Sequence, residues 1–292
     1  YNTGGLFWKG AGALYNVPQS GTGNAIFAAG IWIGGLVNGE LRMVASDYGP
    51  WELWPGPLDD NGNAPADCSV YDRMYKVNRQ DILDYQDTGV ASADLADWPF
   101  ELGAPVIDGD GDPNNYNLAG GDRPNIKGDQ GIWWIMNDVG NEHAWSLTQP
   151  IGLEVQVLAF SFKRADALNN TTFYTYNLIN KGGAQLTETY FAIWVDPDLG
   201  DASDDYVGSD TTRGIGFVWN GSDFDSGADG YADRPPALGY DFFKGPVEDA
   251  EGNNVGATKF VYYNNDSTQQ GNPDAGDDAY RYLRGLWRDD AP

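Results

Sequence analysis

The stretch Ile151-Gly-Leu-Glu-Val-Gln-Val-Leu-Ala159 sets Ile151, Leu153, Val155, Val157 and Ala159 against Gly152, Glu154 and Gln156. A two-residue period of this kind marks a strand with one apolar face and one polar face, and it places Glu154 on the polar side. Similar segments lie on both sides. Upstream, Gly131-Ile-Trp-Trp-Ile-Met136 reads as a buried strand, and downstream Phe173 to Asn180 and Thr189 to Val195 read as two more, with the turn Lys181-Gly182-Gly183 between them. Ala25 to Ser46 reads as a hairpin, because Ile31, Trp32 and Ile33 lead into Asn38-Gly39 and Leu41, Met43 and Val44 follow. Asn-Gly supplies the two positive-φ positions that a two-residue hairpin turn needs. Arg213 to Trp219 and Lys259 to Tyr263 are further strand candidates.

Helical signals are few. Asn78 to Tyr85 suits one short helix. Near the end, Asp277 and Asp278 precede Tyr280, Leu283 and Trp287 at spacings of three and four, with Arg281, Arg284 and Arg288 on other faces. Acidic residues at the start and one apolar stripe favour a helix there. Short strands with Gly-rich turns, 39 Gly and 16 Pro in 292 residues, predict an all-β fold. The expected form is an antiparallel β-sandwich with long acidic Gly-rich loops and a short C-terminal helix. Residues 1–292 are expected to form a single integrated β-rich unit, since no repeat of fixed period divides them.

Charge decides which partners are excluded. Forty-three acidic residues against 17 basic ones leave −26, and self-repulsion of that size opposes a compact state unless cations relieve it. Nucleic acid is excluded as a partner, because no basic face exists to neutralise phosphates. No run approaches the ~20 apolar residues of a membrane helix, so direct membrane insertion is not expected. Cys68 is the single cysteine, and an inert thiol is the expected state. The chain begins at Tyr1 instead of Met, which fits a removed signal peptide.

The carboxylates concentrate in three loops. The first is Asp108-Gly-Asp110-Gly-Asp112, inside a polar loop from Asp108 to Asp129. Carboxylates on alternate residues of a Gly-rich turn resemble the opening of a calcium loop, although no Glu stands at the twelfth position. The second is Asp196, Asp198, Asp201, Asp204, Asp205 and Asp210, six carboxylates in fifteen positions with no cation nearer than Arg213. Calcium takes about 6–8 oxygens, so this loop could nearly fill a shell, and Leu199, Tyr206 and Val207 bracket it with apolar side chains. The third is Asp223, Asp225 and Asp229, with Asp233 after them. Ca2+ is therefore the expected cofactor. Zinc, copper and iron do not fit a chain with His143 and Cys68 as its lone imidazole and thiol.

The run Ile193-Trp-Val-Asp-Pro-Asp-Leu-Gly-Asp-Ala-Ser-Asp-Asp-Tyr-Val-Gly-Ser-Asp210 resembles a motif of large secreted surface proteins of Gram-negative bacteria exported by the type IX secretion system. Ala29-Gly-Ile-Trp-Ile-Gly-Gly35, Phe173 to Lys181, Arg234 to Pro246 and Tyr282-Leu-Arg-Gly-Leu-Trp287 are similar in the same way. The resemblance implies β architecture, an extracellular or cell-surface location, and a longer precursor ending in a C-terminal sorting domain. It implies no biochemical activity.

Catalysis has little support in the residues. His143 follows Asn141-Glu142 without a Gly-x-Ser-x-Gly setting, and Gly4-Gly5 and Gly34-Gly35 read as turn glycines, not a phosphate loop. Glu101, Glu154 and Glu188 define no carboxylate pair of the kind glycosidases use. The expectation is a non-enzymatic, calcium-binding structural or adhesive surface protein that assembles with copies of itself into a layer or filament. The alternative is an extracellular glycan-binding module or glycosidase-like enzyme. For glycan contact the candidates are Trp51, Trp54 and Trp98, beside prolines in irregular segments.

Overall fold

The computed structural model describes residues 5–8 (backbone alone), 15–18, 21, 23–45 and 47–292. Gly4 and Ser46, which entered the turn and hairpin readings, lie outside the described residues. In chain order the first elements are strands β1 (Gly5–Trp8), β2 (Ala28–Val37), β3 (Glu40–Val44), β4 (Trp54–Pro55) and β5 (Tyr75–Asn78), then helices α1 (Arg79–Thr88) and α2 (Ala93–Ala96). Strands β6 (Val106–Ile107), β7 (Arg123–Pro124), β8 (Gln130–Asn137), β9 (Leu153–Ser161) and β10 (Thr172–Asn180) follow. Strands β11 (Leu186–Asp196), β12 (Asp205–Asp210), β13 (Ile215–Asn220) and β14 (Ala237–Asp241) and helix α3 (Gly276–Leu283) complete the chain. Every pairing within these sheets is antiparallel. The fold is an all-β sandwich carrying long acidic loops and a short C-terminal helix.

Two compact units emerge from the contacts. One combines Glu52–Glu142 with Pro150–Ala184, and the other combines Gly5–Trp51, His143–Gln149 and Gln185–Pro292. The first unit is built on the sheet β10-β9-β8-β4, with β5 also paired to β8. Trp133, Ile135, Leu158 and Val77 point from this sheet into a core that also takes in Leu95 of α2 and Trp98. Asn78 begins α1, and its N–H donates to the Asp81 carboxylate at 2.7 Å, which satisfies a donor left open at the helix start.

Strand β9 corrects the half-buried reading of its sequence. Glu154 is 2% exposed. Its Oε2 accepts from the Leu58 N–H and from Lys181 Nζ, both at 2.8 Å, and its Oε1 accepts from Gln156 Nε2 at 3.0 Å. The Leu58 segment covers the face that alternation assigned to water, and a buried carboxylate survives there because each oxygen has donors.

In the second unit β2 is central to the sheet β1-β2-β11, with β3 added on β2. Val37 pairs with Glu40 across Asn38-Gly39, whose φ angles are 53° and 85°, so the predicted two-residue turn is present. One face of this sheet packs Trp32, Met43 and Trp194 against Ala279, Tyr280 and Leu283 of α3. On the other face Ala29 and Val195 meet Val218, Leu238 and Tyr240 from the second sheet, β12-β13-β14. Two antiparallel sheets thus share a core, as in a sandwich.

Gly34 and Gly35 lie inside β2, not in a turn. A Cβ at Gly34 would stand 2.9 Å from Leu283 Cδ1, so the missing side chain lets α3 approach the sheet. Lys259 to Tyr263 forms no strand; Val261 and Tyr263 instead pack irregularly against the α3 core. Residues 181–183 lie in the bend between β10 and β11, as expected, although β10 pairs with β9 and β11 with β2. No described helix is long and apolar enough to cross a membrane.

Candidate metal centre

The Asp196–Asp210 run divides between three kinds of structure. Strand β11 ends on Asp196, a loop carries Pro197 to Asp204, and β12 begins at Asp205. Six of the fifteen positions of the predicted acidic loop therefore form an edge strand. Leu199 anchors the loop: it is fully buried in the core shared by the two sheets. Gly200 takes φ 82° and donates its N–H to Asn24 O at 2.9 Å. A Cβ on Gly200 would stand 1.9 Å from Asp225 Oδ2, so glycine is required at this point.

The second and third acidic stretches form one site. Asp225 is buried, and it accepts the N–H of Asp201 at 3.0 Å and of Tyr231 at 2.7 Å. It serves as a tie between two loops. Asp201 caps the next turn through Ser203 N–H at 3.1 Å and accepts from Ser226 Oγ at 3.0 Å, and these bonds, Ser203's first, hold its carboxyl below the usual range. A shallow cleft of about 260 Å³ lies between Gly200–Ala202 and Ser226–Asp229.

At the start of β12 three side-chain oxygens of neighbouring residues lack donors. Asp205 and Asn220 are directly paired residues of β12 and β13. Asp205 Oδ2 accepts the Leu199 N–H at 2.9 Å, and Asp204 Oδ2 accepts from Ser222 Oγ at 2.9 Å and Asn220 Nδ2 at 3.2 Å. The remaining oxygens, Asp204 Oδ1, Asp205 Oδ1 and Asn220 Oδ1, are buried with no hydrogen-bond partner. Burial pushes the Asp205 carboxyl up to about 6; the Leu199 N–H opposes the rise, and the charges of Asp204, Asp225 and Asp198 add to it. Buried oxygens without donors are costly, and two carboxylates with one amide oxygen are a hard-cation donor set.

Other members of the run are engaged elsewhere. Asp196 is partly buried at the end of β11, where it accepts the Tyr48 hydroxyl at 2.6 Å, and desolvation raises its carboxyl. Asp210 pairs with Arg213, which lowers its carboxyl. Asp198 acts on Asp205 through its charge, while Asp223 is exposed and Asp229 is partly buried.

The first stretch forms a second centre in the other unit. Oxygens of Asp108, Asp110 and Asp122 lie within 4.8 Å of one another, and among the described residues this is the one carboxylate trio so close. Asp108 Oδ1 accepts the N–H groups of Asp110 and Gly111, while buried Asp122 accepts those of Gly109 and Asn117. The Asp112 N–H and Asn117 Nδ2, in that order, hold the Asp110 carboxyl low. Asp112 turns to Asn114 and is not part of the trio. These carboxylates already have donors, whereas the β12 oxygens do not, so the β12 site is the stronger candidate. Sequence reasoning missed Asp122, twelve positions beyond Asp110, and Asn220, which no acidic run contains.

The tryptophan candidates are held by the fold. Trp98 is 3% exposed and donates its indole N–H to Pro105 O at 3.1 Å, so it cannot stack on a ligand. Trp54 sits in β4 with Gly140 close against its ring, and Trp51 is half-buried. The rings pin irregular backbone to the interior. His143 is also buried, its Nδ1 2.8 Å from Met43 O. Cys68 is partly exposed at the start of a 3-10 turn, and burial raises its thiol. The chain matches no protein-family model, no curated protein and no solved structure.

Proposed function

We propose that this is a secreted, calcium-binding structural or adhesive protein of the cell surface, without catalytic activity, whose acidic loops are ordered by divalent cations. The observation that carries the reading is the set of three buried, donorless oxygens on Asp204, Asp205 and Asn220. Buried oxygens of this kind are tolerable when a cation faces them. The net charge of −26 supports the same reading, since bound Ca2+ offsets self-repulsion. The type IX resemblance supports a surface location, and self-assembly into a layer or filament belongs to this proposal as its architectural part.

Terbium titration tests the site directly. Trp219 adjoins Asn220, so Tb3+ held there should be sensitised by indole excitation, and calcium should displace the signal. Asp204→Asn should weaken the response at least tenfold. A wild-type protein with no sensitised emission and no calcium-dependent shift in melting would remove the basis of the proposal. Electron microscopy of native surface material addresses assembly: ordered layers or filaments are expected, and uniformly monomeric particles in calcium would count against it.

A further inference from the structure

The outer face of the β12-β13-β14 sheet is aromatic where a solvent face is ordinarily polar. Cross-strand partners share a face of a sheet, and on this one Tyr206 pairs with Trp219 while Gly208 pairs with Phe217. The opposite face supplies Val218, Leu238 and Tyr240 to the core, so the aromatic row looks outward. Tyr206 is 59% exposed and Trp219 38%. Their ring centroids are 5.8 Å apart with planes within 22°, and Phe217 continues the row at 5.4 Å from Trp219, tilted by 36°.

The rings lie down over glycine. A Cβ on Gly208 would stand 3.2 Å from both Phe217 Cζ and Trp219 Cζ3, and one on Gly221 would stand 2.4 Å from Tyr206 Cε2. Two missing side chains therefore give the rings a floor, and Tyr206 and Trp219 stay solvent-exposed above it. No hydrogen bond to the Tyr206 hydroxyl or the Trp219 indole N–H is present among the described residues. An exposed apolar patch marks a binding surface, and polar edges on that patch that no protein group engages suit a ligand that is itself both apolar and hydroxylated.

Charge narrows the ligand. Between Asp196 and Asp241 the chain holds eleven aspartates against Arg213 and Arg234. Polyanions are repelled by that field. We propose that the Tyr206–Trp219–Phe217 row is a platform for a neutral polysaccharide, whose pyranose CH faces stack on successive rings while its hydroxyls meet the phenol and indole edges. The row supplies the contact surface of an adhesive protein, and it stands without the calcium reading because no metal ligand takes part in the stacking.

Affinity electrophoresis of the full chain tests it, through gels containing hydroxyethylcellulose, xylan or galactomannan, with alginate as the anionic control. Retardation by at least one neutral polymer is expected, with none by alginate. Trp219→Ala and Tyr206→Ala should each weaken it about tenfold with the melting temperature unchanged, whereas Trp219→Phe, which keeps a ring, should retain most of it. Running every gel in calcium and in chelator separates this proposal from the metal site. Three results would overturn it: no retardation by any neutral polymer, retardation indifferent to both alanine variants, or a concentration-dependent dimer that Trp219→Ala abolishes.

Discussion

Replacing Asp205 by Asn should stabilise the protein in chelator and destabilise it relative to wild type in calcium. In the metal-free state Asp205 keeps one oxygen on the Leu199 N–H and leaves the other buried without a donor, among the charges of Asp204, Asp225 and Asp198. Its rise from an ordinary 3.8 to about 6 corresponds to roughly 3 kcal/mol for the ionised form. Solvent screening at this half-exposed carboxyl reduces the figure to about 1–2 kcal/mol. Asparagine retains an acceptor for Leu199 and offers an amide N–H₂ to the neighbouring carboxylates. The gain in chelator should therefore be about 1–2 kcal/mol, or roughly 2–4 °C in Tm for each kcal/mol. In calcium the variant loses a charged ligand, and each tenfold loss of affinity removes about 1.4 kcal/mol of metal-derived stability.

Thermal melts of both proteins, in chelator and in millimolar calcium, read the reversal of sign. The pH dependence follows from the same group. A carboxyl whose folded-state pKa is raised binds its proton more tightly when folded, so its contribution is present below about 4 and lost as pH rises through about 6. Metal-free wild type should lose stability across that window more steeply than Asp205→Asn. If the variant melts lower than wild type in chelator as well as in calcium, the electrostatic reasoning fails.

Two further outcomes concern the scaffold. Lys181→Met should cost about 3 kcal/mol in urea denaturation, because it leaves the buried Glu154 carboxylate without its cation, and adding Glu154→Gln should restore more than half; a loss below about 1 kcal/mol would show that the Leu58 and Gln156 donors suffice. Gly39→Val should cost about 1–2 kcal/mol from backbone conformation alone, since φ is 85° and a Cβ there meets nothing within 4 Å; an unchanged denaturation midpoint would mean the turn tolerates another geometry.

Local chemistry made much of the fold legible. Asn38-Gly39 specified its turn because two adjacent positive-φ residues admit few alternatives, and the apolar runs of β8, β9 and β13 announced strands because their side chains must be buried somewhere. The acidic runs were legible as concentrations of charge for the same local reason. The partners of these segments were not, because they depend on contacts between residues far apart in the chain. Glu154 became a buried ion pair when the Leu58 segment covered it. Lys259 to Tyr263 lost its strand character once Val261 and Tyr263 packed against α3 without a ladder to join. At the candidate metal centre, amino-acid order alone named Asp204 and Asp205, but pairing of β12 with β13 brought Asn220 beside Asp205. Composition determines how much charge and aromatic surface the chain must accommodate; strand register decides which oxygens face one another and which rings face water.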